Sequence, residues 1–225
     1  MHNGTKKATM ASANASIPDD FELPTAAFDI PACYDGDLSA VVIPEGMIKD
    51  RVRRLAADIH ATIGNEQLSL LCVLKGSYKF FNALVDELSF ARFSCPLPMT
   101  VDFIRCRSYE DTQSTGSVEI IGMSNLKELA GKNVLVVDDI VDTGRTLSRL
   151  LDTLKQSGVK KTWTALLVSK RVERAVTVPE DFVAFMIPDK FIVGYGLDYN
   201  QHFRDLRHIC VMSSKGIERY KGLPA

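Results

Sequence analysis

The run Val134-Leu135-Val136-Val137-Asp138-Asp139-Ile140-Val141-Asp142-Thr143-Gly144-Arg145-Thr146 constrains this chain more than any other. Four successive apolar residues without polar alternation read as a strand covered on both faces, as in parallel sheets flanked by helices. Three carboxylates follow within five positions, then Thr143-Gly144-Arg145-Thr146 and an amphipathic run from Leu147 to Leu154. The order is strand, acidic edge, small hydroxyl-rich loop, helix. The free N–H groups at a helix start, with two threonine hydroxyls beside them, form a cradle for phosphate. Carboxylates repel a bare phosphate, but they suit a ligand that also offers hydroxyls or carries Mg²⁺. A sugar phosphate bearing a metal-bound pyrophosphate meets both conditions. Helix capping alone needs only one such residue. A Walker P-loop is excluded, because no glycine lies five places before Gly144 and Arg145 stands where lysine is required.

With 225 residues, 46% of them hydrophobic, the chain can bury one good core as a single domain. A net charge of −1 supplies no basic surplus for nucleic acid and no attraction to an anionic membrane surface. The apolar runs fall far short of the ~20 residues that a membrane span needs. Cys33, Cys72, Cys95, Cys106 and Cys210 contain no CxxC pair, so neither a disulfide framework nor a zinc site is expected. Cys72 and Cys210 sit in apolar runs and read as buried thiols, which suits a cytoplasmic location. The four histidines show no metal spacing. Near the N-terminus Ala, Ser, Thr and Asn dominate, with Lys6 and Lys7 and no apolar stretch of a secretory signal. Residues 1–17 are expected to be a disordered extension and 18–225 the folded domain.

Periodicity predicts strands at 41–44, 69–74, 99–105, 118–121, 134–137, 162–168, 182–187 and 191–195. Helices are predicted at 47–63, ending at Gly64, and at 78–88 and 144–157. Strands 99–105 and 118–121 flank a polar segment and can pair as a long hairpin. The βαβα alternation in the middle predicts an α/β fold, a parallel sheet with helices on both faces.

Such sheets bind ligands at the carboxyl ends of their strands, and further motifs stand there. Leu74-Lys75-Gly76-Ser77 leaves one strand, offering a cation and backbone donors to an anion. Ser169-Lys170-Arg171 leaves another. Toward the C-terminus come Ile187-Pro188-Asp189-Lys190-Phe191-Ile192-Val193-Gly194-Tyr195-Gly196-Leu197-Asp198-Tyr199-Asn200 and Phe203-Arg204-Asp205-Leu206. The Gly194-Tyr195-Gly196 triplet lacks the third glycine of a dinucleotide fingerprint. The polar stretch from Arg107 to Gly116, holding Ser108-Tyr109, has the length of a functional lid.

The 138–146 string closely resembles the PRPP-binding motif of type I phosphoribosyltransferases. The separated motifs, in this order from about Tyr34 to Tyr220, resemble the hypoxanthine-guanine phosphoribosyltransferase family. That resemblance implies a central parallel sheet flanked by helices, with a small hood subdomain from the terminal segments. It implies purine salvage, in which the 5-phosphoribosyl group of PRPP passes to N9 of hypoxanthine or guanine. The products are IMP or GMP and pyrophosphate, and Mg²⁺ is the cofactor.

By the same resemblance Asp142 is the general base. Asp138 and Asp139 meet the ribose hydroxyls directly or through Mg²⁺, with Asp138 standing where many members have glutamate. Thr143, Gly144, Arg145 and Thr146 hold the 5-phosphate. Lys75, Gly76 and Arg204 contact pyrophosphate, through a loop with a strained peptide bond before the lysine. Lys170 donates to the purine 6-oxo group, Phe191 stacks on the ring, and Ile192 and Asp198 stand at its 2-position edge. Asp198 also holds a second Mg²⁺ through pyrophosphate and water. Ser108 and Tyr109 belong to the lid. The family forms homodimers or homotetramers. The alternative is a non-catalytic nucleotide- or PRPP-binding regulator, or a low-activity paralogue, on the same fold; Asp142 and the lack of a basic arm argue for the enzyme.

Overall fold

The computed structural model describes residues 15–108, 118–121 and 126–222. In chain order the elements are β1 Ala15–Ser16, β2 Leu38–Ile43, α1 Glu45–Ile63, β3 Leu68–Leu74, α2 Tyr78–Ala91, β4 Met99–Ser108 and β5 Val118–Ile121. They continue with β6 Asn133–Val141, α3 Arg145–Gln156, β7 Lys161–Lys170, β8 Phe182–Ile187, β9 Ile192–Val193, β10 Ile209–Met212 and α4 Ser214–Tyr220. One sheet runs β1-β8-β7-β6-β3-β4-β5, parallel throughout except for β5, which pairs antiparallel with β4 as the expected hairpin. Tyr109, half of the expected lid pair, lies outside the described residues, while Ser108 ends β4 opposite Val118.

The unalternated apolar strands are explained by cover on both faces. Leu135 and Val137 join a core with Leu68, Leu70 and Cys72, against the α1 stripe Ile48, Val52, Leu55 and Ile59. Val134 and Val136 join the opposite core with Leu71, Val73 and the α3 residues Leu147, Leu150 and Leu154. Spacings of three and four residues set those helical stripes, as the sequence pattern requires. Gly64 ends α1 at φ +67°, a conformation open to glycine.

A second, three-stranded sheet in the order β2-β10-β9 forms the hood, joining both ends of the chain. Its core gathers Tyr34, Phe203, Leu206 and Tyr220. The His208 Nδ1 atom accepts the Glu45 N–H at 3.0 Å, so a hood residue caps the start of α1. Burial lowers the His208 pKa, consistent with a neutral acceptor.

Three expectations change. Residues 15–17 are not part of a disordered extension: β1 pairs parallel with β8, and Ile17 is buried because its side chain closes the core edge. Residues 1–14 lie outside the described residues. The strand expected at 191–195 contracts to Ile192–Val193, because Gly194, Tyr195 and Gly196 turn to φ values of +98°, +51° and +104°. The last strand and helix, β10 and α4, extend the predicted set.

The chain passes from β3 to its neighbour β4, then crosses to the other side of β3 and continues through β6, β7 and β8. Strand order therefore reverses between β3 and β6. A crevice opens at the carboxyl ends of these two strands, which is the usual ligand position in such sheets.

Candidate active site

The crevice brings together the exits of β3 and β6. The Leu74–Lys75 peptide bond is cis. A Cβ on Gly76 would lie 1.5 Å from Asp139 Oδ2, so the turn after β3 rests directly on the acidic end of β6, and any side chain there would displace the Asp139 carboxylate. Gly196 in turn sits on Gly76: its Cβ would fall 2.0 Å from the Gly76 carbonyl oxygen. Three chain segments far apart in sequence are thus stacked on one another, Gly196 on the Gly76 backbone and Gly76 on the Asp139 carboxylate.

The hood loop beyond Gly196 carries the cations. Arg204 donates to the Gly196 carbonyl at 2.7 Å and pairs with Asp198 Oδ1 at 2.7 Å. The other Asp198 oxygen accepts the Gln201 N–H at 2.8 Å, and the Gln201 side-chain oxygen accepts from Lys75 Nζ at 2.7 Å. The start of α2 anchors this loop, with Lys79 Nζ donating to the carbonyls of Asp205 (2.7 Å) and Leu206 (3.0 Å) and Tyr78 donating to that of Arg204 (3.3 Å). Asn200, Gln201 and Phe203 hold φ of +49°, +69° and +72°, strained for residues with a Cβ.

At the end of β6, Asp138 is buried and its Oδ1 accepts the Asp139 N–H at 3.0 Å; Asp139 Oδ1 accepts the Ile140 N–H at 3.0 Å. Burial, then the charge of Asp139, raises the Asp138 pKa well above the carboxylate range. Burial raises Asp139 too, against hydrogen bonds that pull it down. The pair therefore keeps a proton more readily than two free carboxylates do. A ligand hydroxyl or a hard cation there relieves the crowding. No group of three or more His, Cys, Asp or Glu side chains gathers for a metal among the described residues. Mg²⁺ commonly takes only one or two carboxylates beside substrate phosphates, so the Asp138–Asp139 set fits it. Burial pushes the nearby Cys72 thiol up to about 12, so it is no nucleophile.

Beyond the acids, Gly144 turns at φ +77°, and a Cβ there would lie 2.4 Å from the Val176 carbonyl oxygen. Ser148 is the first residue to bond back, to the Gly144 carbonyl at 2.9 Å, leaving the N–H groups of the first turn of α3 free of helix partners. They face a cavity of about 120 Å³ lined by Asp138, Asp142, Thr143, Gly144 and Thr146 among others. Arg145 is exposed and does not line that cavity.

On the other flank, Lys170 ends β7. Its ammonium lies 3.0 Å from Asp189 Oδ1 and 3.8 Å from Asp142 Oδ2; its side chain is 11% exposed and that of Asp142 56%. The adjacent Arg171 points elsewhere, to Ser16 and Asp19. Arg174 steadies the strand end, donating to Ser169 Oγ at 2.6 Å and pairing with Glu180. The Phe191 ring is 42% exposed and meets the Tyr199 ring edge-on at 5.1 Å, while Ile192 is buried.

All the sequence-selected residues that the structure describes, apart from Ser108 on β4, fall on this one edge. Asp189, Gln201, Lys79 and Val176 were missed. Asp189 reaches Lys170 because β7 and β8 pair Lys170 with Ile187, a register that no local pattern announces.

A family model described as "Phosphoribosyl transferase domain" matches residues 45–200. The chain is 50% identical over 196 residues to the hypoxanthine-guanine phosphoribosyltransferases of Rattus norvegicus and Homo sapiens, covering 86% of this chain and 90% of theirs. Its fold is similar to the crystal structure of hypoxanthine-guanine phosphoribosyltransferase from Schistosoma mansoni in complex with IMP. That match has a TM-score of 0.76 and 36% identity, over 92% of this chain and 98% of the other.

Proposed function

The chain belongs to the hypoxanthine-guanine phosphoribosyltransferase family, and on that premise we propose how its residues carry the reaction. It is an enzyme of purine salvage that joins hypoxanthine or guanine to the phosphoribosyl group of PRPP, giving IMP or GMP and pyrophosphate. The observation that carries the assignment of the base pocket is the Lys170–Asp142 pair at 3.8 Å. A donor and an acceptor side by side match the O6 and N7 atoms, which are neighbours on one purine edge. Lys170 donates to O6, and a 6-amino purine would meet it with hydrogens and no acceptor. Asp142 takes the N7 proton as N9 attacks the ribose carbon. Phe191, open on one face, supplies the stacking surface, and Ile192 and Asp198 line the 2-position edge.

The first turn of α3 with Thr143, Gly144, Arg145 and Thr146 holds the 5-phosphate through N–H groups and hydroxyls. Asp138 and Asp139 accept the ribose hydroxyls. Lys75, the Gly76 backbone and Arg204 hold the departing pyrophosphate, and the Arg204–Asp198 pair keeps that guanidinium aimed. Asp138 and Asp139, and separately Asp198, would hold Mg²⁺, which would supply positive charge to neutralise the pyrophosphate. Ser108 and Tyr109 belong to a lid that excludes water. We place the chain in the cytoplasm as a homodimer or homotetramer; no described helix is long and apolar enough to cross a membrane.

The test is a steady-state assay of the purified protein with PRPP and Mg²⁺ against hypoxanthine, guanine, xanthine and adenine, with EDTA as control. Turnover of hypoxanthine and guanine, none of adenine, and loss of activity in EDTA are expected. Tight binding of PRPP without turnover of any base would make it a regulator.

A further inference from the structure

Residues 15–22 run across the back of the base pocket as a strap. Ile17 donates its N–H to the Met186 carbonyl at 2.8 Å, extending the β1–β8 pairing. Ile17, Pro18 and Phe21 close a tight apolar seam with Val42, Ile187 and Ile192. Two ion pairs flank that seam. Asp19 meets the Arg171 guanidinium, whose other nitrogen donates to Ser16 Oγ and to the Met186 carbonyl, both at 3.1 Å. Glu22 Oε1 lies 2.6 Å from Lys190 Nζ. Arg171 is the chain neighbour of Lys170, and Lys190 that of Phe191. Two of the residues read above as touching the purine, Lys170 and Phe191, are therefore tethered, one residue away, to the same strap.

We propose that this strap sets the purine side of the pocket, with Asp19 and Glu22 as positioning residues for Lys170 and Phe191. The inference rests on the base-pocket reading above. Side chains of Asp19 and Glu22 are 82% and 49% exposed, and ion pairs so open add little to stability. What they fix is where two strand ends stand, and small misplacement of a binding group is expensive for a bound substrate. The strap makes no bond to Lys75, Thr143 or Arg204 among the contacts of the described residues, so the effect falls on the purine and not on PRPP.

The experiment compares the full chain with the double variant Asp19→Asn/Glu22→Gln, measuring KM for hypoxanthine and guanine, KM for PRPP, kcat and Tm. The purine KM should rise about three- to tenfold, the scale of two open ion pairs, with kcat, PRPP KM and Tm unchanged. The charge-keeping double variant Asp19→Glu/Glu22→Asp should restore the parent purine KM. An unchanged purine KM, or an equal rise for both substrates, overturns the proposal. If the double variant does not fold, Glu22→Gln alone, which leaves the Ile17 sheet bond intact, decides by the same criteria. Absence of turnover by the unaltered chain with either base would sink the base-pocket reading itself, a result distinct from an indifferent strap.

Discussion

The acidic edge of β6 and the hood loop from Gly194 to Leu206 serve one crevice but are made in opposite ways. In the first, strand, acids, turn and helix follow one another within a single uninterrupted stretch, and the order of residues already dictates the geometry. In the second, Gly196 rests on Gly76, Lys79 holds the carbonyls of Asp205 and Leu206, and Gln201 holds Lys75. Its backbone enters the left-handed region at Tyr195, Asn200, Gln201 and Phe203. A contiguous element stores its function in local chemistry, whereas an assembled one stores it in distant contacts. Damage should therefore separate cleanly into loss of chemistry on one side and loss of shape on the other.

The sharpest test of that separation is Asp142→Asn. Its carboxylate is largely exposed and carries no packing, so kcat should fall about 10²-fold or more, the scale of a lost general base, with Tm unmoved. A kcat near that of the parent would remove Asp142 from the role of base. Gly196→Ala should do the reverse. The added methyl meets the Gly76 carbonyl in a backbone conformation unfit for alanine, and roughly 1–3 kcal/mol of stability should be lost. Thermal melting should report that loss, and KM should rise more for PRPP than for the purine. Equal disturbance of both KM values would show that the two regions are not separable.

The smallest effect concerns the joint between hood and sheet. His208 is neutral when it accepts the Glu45 N–H, and burial, aided by Arg207 and opposed by Glu45 and Asp29, lowers its pKa. A lowered folded value means that this stability is whole above the unfolded histidine pKa near 6.5. It is lost as pH falls from there through the folded value. Denaturant titrations should show stability falling across that window, and His208→Gln should flatten the slope. An unaltered slope in the variant would assign the pH dependence elsewhere.

Much of this was legible in the residues. Val134 to Val137 announced a doubly covered strand, and the α1 stripe announced its face, because burial repeats with the period of the element. Lys75, Asp138, Asp142, Lys170 and Arg204 were legible as candidates, and the fold brings them to one edge. What stayed hidden was set by distance along the chain. The Asp189–Lys170 contact depends on strand register, and the stacking of Gly196 on Gly76 depends on two loops meeting. The short β10 run, Ile209 to Met212, gives too little length for periodicity to act on. The helix after it did carry a signal, since Ser213 accepts the Gly216 N–H at 2.9 Å as its cap.

The hood also sets a timetable. Its sheet pairs Leu38–Ile43 with Ile209–Met212, and Arg219 reaches back to Asp37 at 2.9 Å. During synthesis the early strand must wait for its sheet partner until residues 209–212 have left the ribosome. The central sheet, whose neighbours lie closer in sequence, can form before then. The residues that finish the hood side of the crevice thus take their places after the central sheet, so a chain lacking β10 would own a sound core and an unfinished site.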